Sequence, residues 1–122
     1  MVNTTSKPRY DLRSMQRAAK EARGLTITPR ARQDAENLGY DLPGIRSLVA
    51  RLEPSDFDHV WILKDDRGRV KLDIEGKEIA MDVYSPWIEA PNGDRCRIYL
   101  KMKLTHNTFA ITSIQSFHQK RK

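Results

Sequence analysis

The chain has 122 residues, one cysteine, three histidines and a formal net charge of +6. That length suits one domain, residues 1–122, with a core buried without disulfides, and the lone Cys96 excludes a disulfide framework or a CxxC metal signature. No stretch has the apolar run of a signal peptide or a membrane span, so the expectation is a soluble cytoplasmic protein without a membrane partner, its positive balance serving solubility or an anionic partner such as nucleic acid.

Residues 1–9 are polar and are expected to fray. Asp11 is placed to cap a helix running to about Arg23, with Leu12, Met15, Ala19 and Ala22 as its apolar stripe and Gly24 at its end. Its other faces carry Arg13, Arg17, Lys20 and Arg23, a basic surface that fits phosphates or an acidic partner and also fits plain solvation. "TPRARQDAENLG" is a punctuated second helix: Thr28 as N-cap, Pro29 at the first helical position, Gly39 beyond the end. A third helix starts near Pro43, buries Leu48, Val49 and Leu52, and stops at Pro54. After Phe57 the texture becomes that of strands. "HVWILKDDRGRVKLDI" reads as two strands joined by a turn at 65–68, "EGKE" as another turn, and "IAMDVYSPWI" as a strand ended by Pro86. "APNGD" is a turn, "RCRIYLKMKL" a strand, "THNT" a turn, "FAITSIQSFH" a last strand and "QKRK" a basic tail. Helices followed by an antiparallel meander predict an α+β fold, with the N-terminal helices packed on the sheet. No internal repeat is evident.

The strand at 95–104 interleaves two patterns. Cys96, Ile98, Leu100, Met102 and Leu104 occupy one face, and Arg95, Arg97, Tyr99, Lys101 and Lys103 the other. Successive strand residues point to opposite faces, so one face is buried and the other gathers four cations around a phenol. His59 lies at the entry to the first strand and His118 near the end of the last. Two histidines at strand ends, with cations between them, suit phosphodiester cleavage. Imidazole both accepts and donates protons near neutrality, and arginine and lysine hold non-bridging phosphate oxygens as charge builds.

Other chemistries are weaker. The sequence has no phosphate-cradling glycine loop, and neither HxxxH nor HExxH spacing, so no metal or cofactor is expected. His106 falls in a turn, where a solvated polar side chain is the ordinary case. Ser116 and His118 share one face of one strand, about 7 Å apart by the strand rise, and do not read as a catalytic pair. Trp61 and Trp87 offer faces for base stacking, but core burial is the expectation for both.

Four segments resemble the MqsR family of toxins. In "TPRARQDAENLGYDLPGIRSLVARLEPSDF", Thr28, Ala31, Ala35, Leu38, Gly39, Asp41, Leu52, Ser55, Asp56 and Phe57 fit that family's helical pattern in order. "DVYSP", "RIYLKMKL" and "SFHQK" resemble its later strands, and the likeness runs from about Lys7 to His118. The resemblance implies a RelE-like α+β fold and a metal-independent messenger-RNA endonuclease. It also implies a cognate antitoxin as partner, MqsA-like and DNA-binding, with the ribosome as a further candidate partner. The family's site tyrosine and lysine fall on Tyr99 and Lys101. Its two other lysines fall on His59 and His118, and its glutamine before "DVY" falls on Met81.

Together these readings give the toxin of a type II toxin–antitoxin system, an RNA-cleaving enzyme using His59, Tyr99, Arg97, Lys101 and His118. Arg95, Lys103, Arg13, Arg17 and Lys20 are expected to bind RNA phosphates. The rival expectation is a non-catalytic RNA- or protein-binding module on the same fold, which the thioether of Met81 favours and the paired histidines oppose.

Overall fold

A computed structural model describes residues 7–106 and 110–119. Asp11 accepts from the Ser14 N–H at 2.9 Å and opens α1 (Leu12–Lys20). The helix stops three residues before Arg23, and Ala18 rather than Ala22 completes its buried stripe. Arg46 causes part of this, because its guanidinium donates to the carbonyls of Ala19, Glu21 and Ala22 and so closes the helix end. Gly24 then passes so near the helix that a Cβ there would lie 1.8 Å from the Ala18 carbonyl oxygen. Only glycine allows that approach.

The chain next forms β1 (Leu25–Ile27), a strand the sequence pattern did not predict. Thr28 caps α2 (Pro29–Asn37), with Pro29 at its first position and Gly39 at φ 92° beyond its end, as expected. Asp41 accepts from Gly44 N–H at 2.8 Å and opens α3 (Leu42–Arg51). Gln16 of α1 donates to the carbonyls of Val49, Ala50 and Leu52, so α1 and α3 cap one another's C-terminal ends. Pro54–Asp56 form a single 3-10 turn that leads into the sheet.

The remaining strands are β2 (Phe57–Ile62), β3 (Ala80–Tyr84), β4 (Trp87–Glu89), β5 (Arg95–His106) and β6 (Ala110–Gln119). Among the described residues the sheet order is β1-β6-β5-β3-β2, with β4 paired to β5 beside that path. The β2-β3-β5-β6 pairs are antiparallel, as the meander requires, but β1 runs parallel to β6, so the sheet is mixed. The fold is α+β. The "THNT" segment was expected as a turn, but its first two residues, Thr105 and His106, belong to β5 and pair with Ile111 and Ala110; Asn107, Thr108 and Phe109 lie outside the described residues. The same holds for residues 1–6 and 120–122. Of the stretch expected to fray, Arg9 is held: its backbone N–H donates to Asp82 at 2.8 Å and its side chain pairs with Glu78 at 2.7 Å.

Residues 63–79 depart from the predicted pair of strands. They form two tight turns at the places expected, 65–68 and "EGKE", each closed on itself by one isolated bridge, Lys64 to Val70 and Leu72 to Glu78, in place of a second strand. Asp65 accepts from the N–H groups of Arg67 and Arg69, and Asp73 from those of Glu75 and Lys77. The Asp-x-x-Gly-Arg/Lys pattern therefore recurs at a spacing of eight, a short internal repeat the linear reading did not find. A carboxylate two residues before an unpaired N–H supplies the turn its own acceptor.

All three helices cover one face of the sheet. Met15, Ala31, Ile45 and Val49 meet Ile98, Leu100, Met102, Ile114 and Phe117 in one core. Burying this apolar surface is the dominant favourable term of the fold. On the same face Asp82, fully buried, accepts from the N–H groups of Arg9 (2.8 Å) and Tyr10 (2.9 Å). Burial raises its carboxyl above the usual aspartate range, although both backbone bonds and the Arg9 charge pull the other way. A raised folded-state value means that the folded chain holds the proton more tightly than the unfolded chain. The stabilising contribution is then complete below the ordinary aspartate value and is lost as pH rises through the raised one. Asp82→Asn should flatten the dependence of unfolding free energy on pH in that mildly acidic window. Urea titrations across the window check it, and parallel curves for the two proteins would contradict it.

Candidate active site on the helix-free face of the sheet

Residues directly opposite in an antiparallel pair share a face. His59 is opposite Val83, Val83 opposite Lys101, and Lys101 opposite Ser116, while Tyr99 is opposite His118. Because the even-numbered residues of β5 enter the helix-facing core, this entire set lies on the other, helix-free face. The Tyr99 ring stands between the two histidines. Its centroid is 6.5 Å from that of His59 and 5.5 Å from that of His118, with both imidazoles in edge geometry. Strand ends 59 residues apart in the chain thus converge on one phenol.

The site is built on irregular pairing as well as regular strands. A bulge between Phe57 and His59 brings Asp58 and His59 to one side, where their side chains would otherwise diverge. His59 Nδ1 is 3.3 Å from Asp58 Oδ1; in the tautomer that carries its hydrogen on Nδ1 the ring donates to this carboxylate and Nε2 is the acceptor. Asp58 was not foreseen, since neighbours on a strand point apart and no sequence signal announces a bulge. A second register shift at Lys101/Met102 returns Ser116 and His118 to the open face after the buried Ile114.

Lys101 extends across the sheet until its Nζ lies 3.9 Å from the centre of the Trp61 ring. Burial pushes its ammonium below the usual lysine range. Arg97 is fixed differently: its Nε–H donates to the Ser85 carbonyl at 2.9 Å, which leaves its other N–H groups for a ligand. Met81 is only 8% exposed and sits opposite Trp61, so that position offers no hydrogen-bonding group. Lys103 shares the face, and Arg95 is exposed at its β4 end, opposite Glu89. Beside His118 an open cleft of about 750 Å³ runs to α2, lined by Arg30, Asp34, Asn37 and Ser116 among others.

Not every expected residue joins this site. Arg13, Arg17 and Lys20 are exposed on α1, in the helical layer, and the sheet separates that layer from Tyr99. Neither indole fills the core as expected: Trp61 is only partly covered, on the helix-free face beneath Lys101, and Trp87 is 74% exposed. Among the described residues no group of three or more His, Cys, Asp or Glu side chains is arranged to hold a metal ion. None of the helices among those residues is long and apolar enough to cross a membrane.

The depressed Lys101 ammonium gives a specific expectation. Its charge should be lost at lower pH than that of an ordinary lysine, so affinity for single-stranded RNA should decline on the alkaline side in the wild type and less so in Lys101→Met. The same substitution should reduce the log–log salt slope of binding by about 0.7, the value for one phosphate contact on a single strand. Titrations at several salt concentrations measure both; identical slopes would place Lys101 away from the phosphates.

Among curated proteins none matches the chain. A family profile does, over residues 7–119, and its description reads "Motility quorum-sensing regulator, toxin of MqsA". The match takes in both histidines, the basic strand and the helices that support them. The chain belongs to this family of toxins, and so to the toxin side of a toxin–antitoxin pair.

Proposed function

We propose that this toxin is a metal-independent endoribonuclease of the cytoplasm that cleaves messenger RNA by attack of a 2′-hydroxyl on the adjacent phosphate. The observation that carries the reading is the Tyr99 ring flanked by His59 and His118 on one basic face. The Asp58 carboxylate at Nδ1 favours His59 as the base, with Nε2 taking the 2′-hydroxyl proton. As the 2′-oxygen bonds to phosphorus, the bond from phosphorus to the 5′-oxygen breaks, and His118 gives that oxygen a proton. Arg97 and Lys101 hold the charge that gathers on the non-bridging oxygens, and Tyr99 positions the phosphate between the rings. The products are a 2′,3′-cyclic phosphate and a 5′-hydroxyl. Arg95 and Lys103 extend the phosphate track along β5. Arg13, Arg17 and Lys20, across the sheet, suit remote contacts with a long RNA or the ribosome.

An MqsA-like, DNA-binding antitoxin is the proposed silencing partner. Incubating the purified chain with messenger RNA in EDTA tests the activity. Discrete fragments support it, and intact RNA would favour the rival reading of a binding module, to which the apolar Met81 lends support.

A further inference from the structure

We propose that Trp87 is a stacking platform for an unpaired RNA base, one nucleotide from the phosphate held at Tyr99. The inference rests on RNA being the ligand of the basic face. Four large apolar side chains are exposed among the described residues: Val70, Leu72 and Ile74 in the turns of residues 63–79, and Trp87. Trp87 is the only aromatic of the four. An indole left mostly in water forgoes the burial that normally holds it in a core, and Pro86 before it and Ala90 after it are both buried.

The backbone that carries the indole is fixed in place. Trp87 opposes Arg97, Ile88 opposes Cys96 and Glu89 opposes Arg95. The Ile98 N–H donates to the Pro86 carbonyl at 3.2 Å and ties the start of β4 to β5. Ile88, half-buried, packs on the core and sets which way its neighbours point. Trp87 therefore shares the face of Arg97, and Arg97 is two strand residues, about 7 Å, from Tyr99. The result is a line of indole, guanidinium and phenol: a stacking surface, a phosphate clamp and the reacting centre. Two open recesses border the indole. One of about 300 Å³ lies toward α3, with Arg51 and Glu53 on its wall, and one of about 220 Å³ lies toward Glu89 and Arg95. A base laid on the Arg97 side of the indole, rather than in the recess toward α3, meets an aromatic face and a neighbouring guanidinium for its phosphate, the combination that single-strand binding sites use.

The test uses end-labelled RNA strands carrying 2′-fluoro groups, which cannot undergo 2′-hydroxyl attack, and reads binding by fluorescence anisotropy. One set carries a single abasic site walked along the strand. Trp87→Ala should weaken binding about fivefold or more, the low end for one stacked base, and Trp87→Phe should retain most of the affinity. One abasic position should cost the wild type a similar factor and cost Trp87→Ala nothing further, since both changes remove the same contact. Equal affinity of Trp87→Ala and wild type would overturn the proposal and leave the indole to a protein partner. A loss in Trp87→Ala that adds fully to every abasic position would overturn it too, because the residue would then act away from the bases. Cleavage of the matching 2′-hydroxyl strand separates this inference from the enzymatic reading. A wild type that binds with the Trp87 signature but never cleaves keeps the platform and loses the nuclease; one that cleaves while Trp87→Ala binds normally does the reverse.

Discussion

His118→Ala should slow RNA cleavage by at least about 100-fold, the lower end for removal of a general acid or base. The ring is exposed at the end of β6, so its loss opens no core cavity and the fold should remain. If His59 and His118 act as a pair, the wild-type rate should follow a bell-shaped pH profile whose limbs belong to the coupled site and not to either ring. His118→Lys should recover part of the loss and shift the profile toward higher pH, because an ammonium can donate a proton but its ordinary value near 10.4 makes it a poor base at neutrality. Wild-type cleavage by His118→Ala, combined with total loss in Tyr99→Ala, would refute the two-histidine scheme and leave catalysis to positioning and charge.

Phe117→Ala should remove about 3–5 kcal/mol of stability, the range for deleting a large buried aromatic. Phe117 is fully buried and meets Tyr40 edge-on with ring centroids 5.4 Å apart. The adjacent residues of β6 divide their tasks: Phe117 anchors the strand to the helices, and His118 faces the open side. A midpoint fall of more than about 10 °C is expected for a domain of this size, followed by calorimetry or circular dichroism. A change under about 1 kcal/mol would mean that the helices are not held to the sheet through this strand.

Where local chemistry decides structure, the sequence was readable. Asp11, the Thr28–Pro29 pair, Gly39 and the turn at 90–94 act on their immediate neighbours, and each does what its residue type predicts. The interleaved residues of β5 announced a two-faced strand because a period of two survives over ten residues. Short elements were not readable in the same way. β1 and β4 have three residues each, too few for a period, and each exists because a longer strand offers it hydrogen bonds. The end of α1 was misjudged because Arg46, a residue of another helix, terminates it.

The site divides along the same line. The strand pattern and the family resemblance together pointed to His59, Tyr99, Arg97, Lys101 and His118. Their meeting depends on pairing between strands, with two register shifts that leave no mark in the sequence. Asp58 enters through the first of these shifts. Trp87 was expected in the core because indole usually is; its exposure follows from its pairing with Arg97 on the helix-free face. Arg13, Arg17 and Lys20 looked like part of one basic surface, and only the layering of helices on the opposite face of the sheet separates them from Tyr99.

Identification of the cleaved ends tests the central claim most directly. An RNA strand treated with the wild-type chain in EDTA is analysed by mass spectrometry, beside the same strand with a single 2′-deoxy nucleotide at the cleavage position. The account predicts a 2′,3′-cyclic phosphate on one fragment, a 5′-hydroxyl on the other, and no cut at the deoxy position. A 5′-phosphate product, or undiminished cleavage beside the deoxy nucleotide, would contradict attack by the 2′-hydroxyl and with it the roles given to His59 and His118.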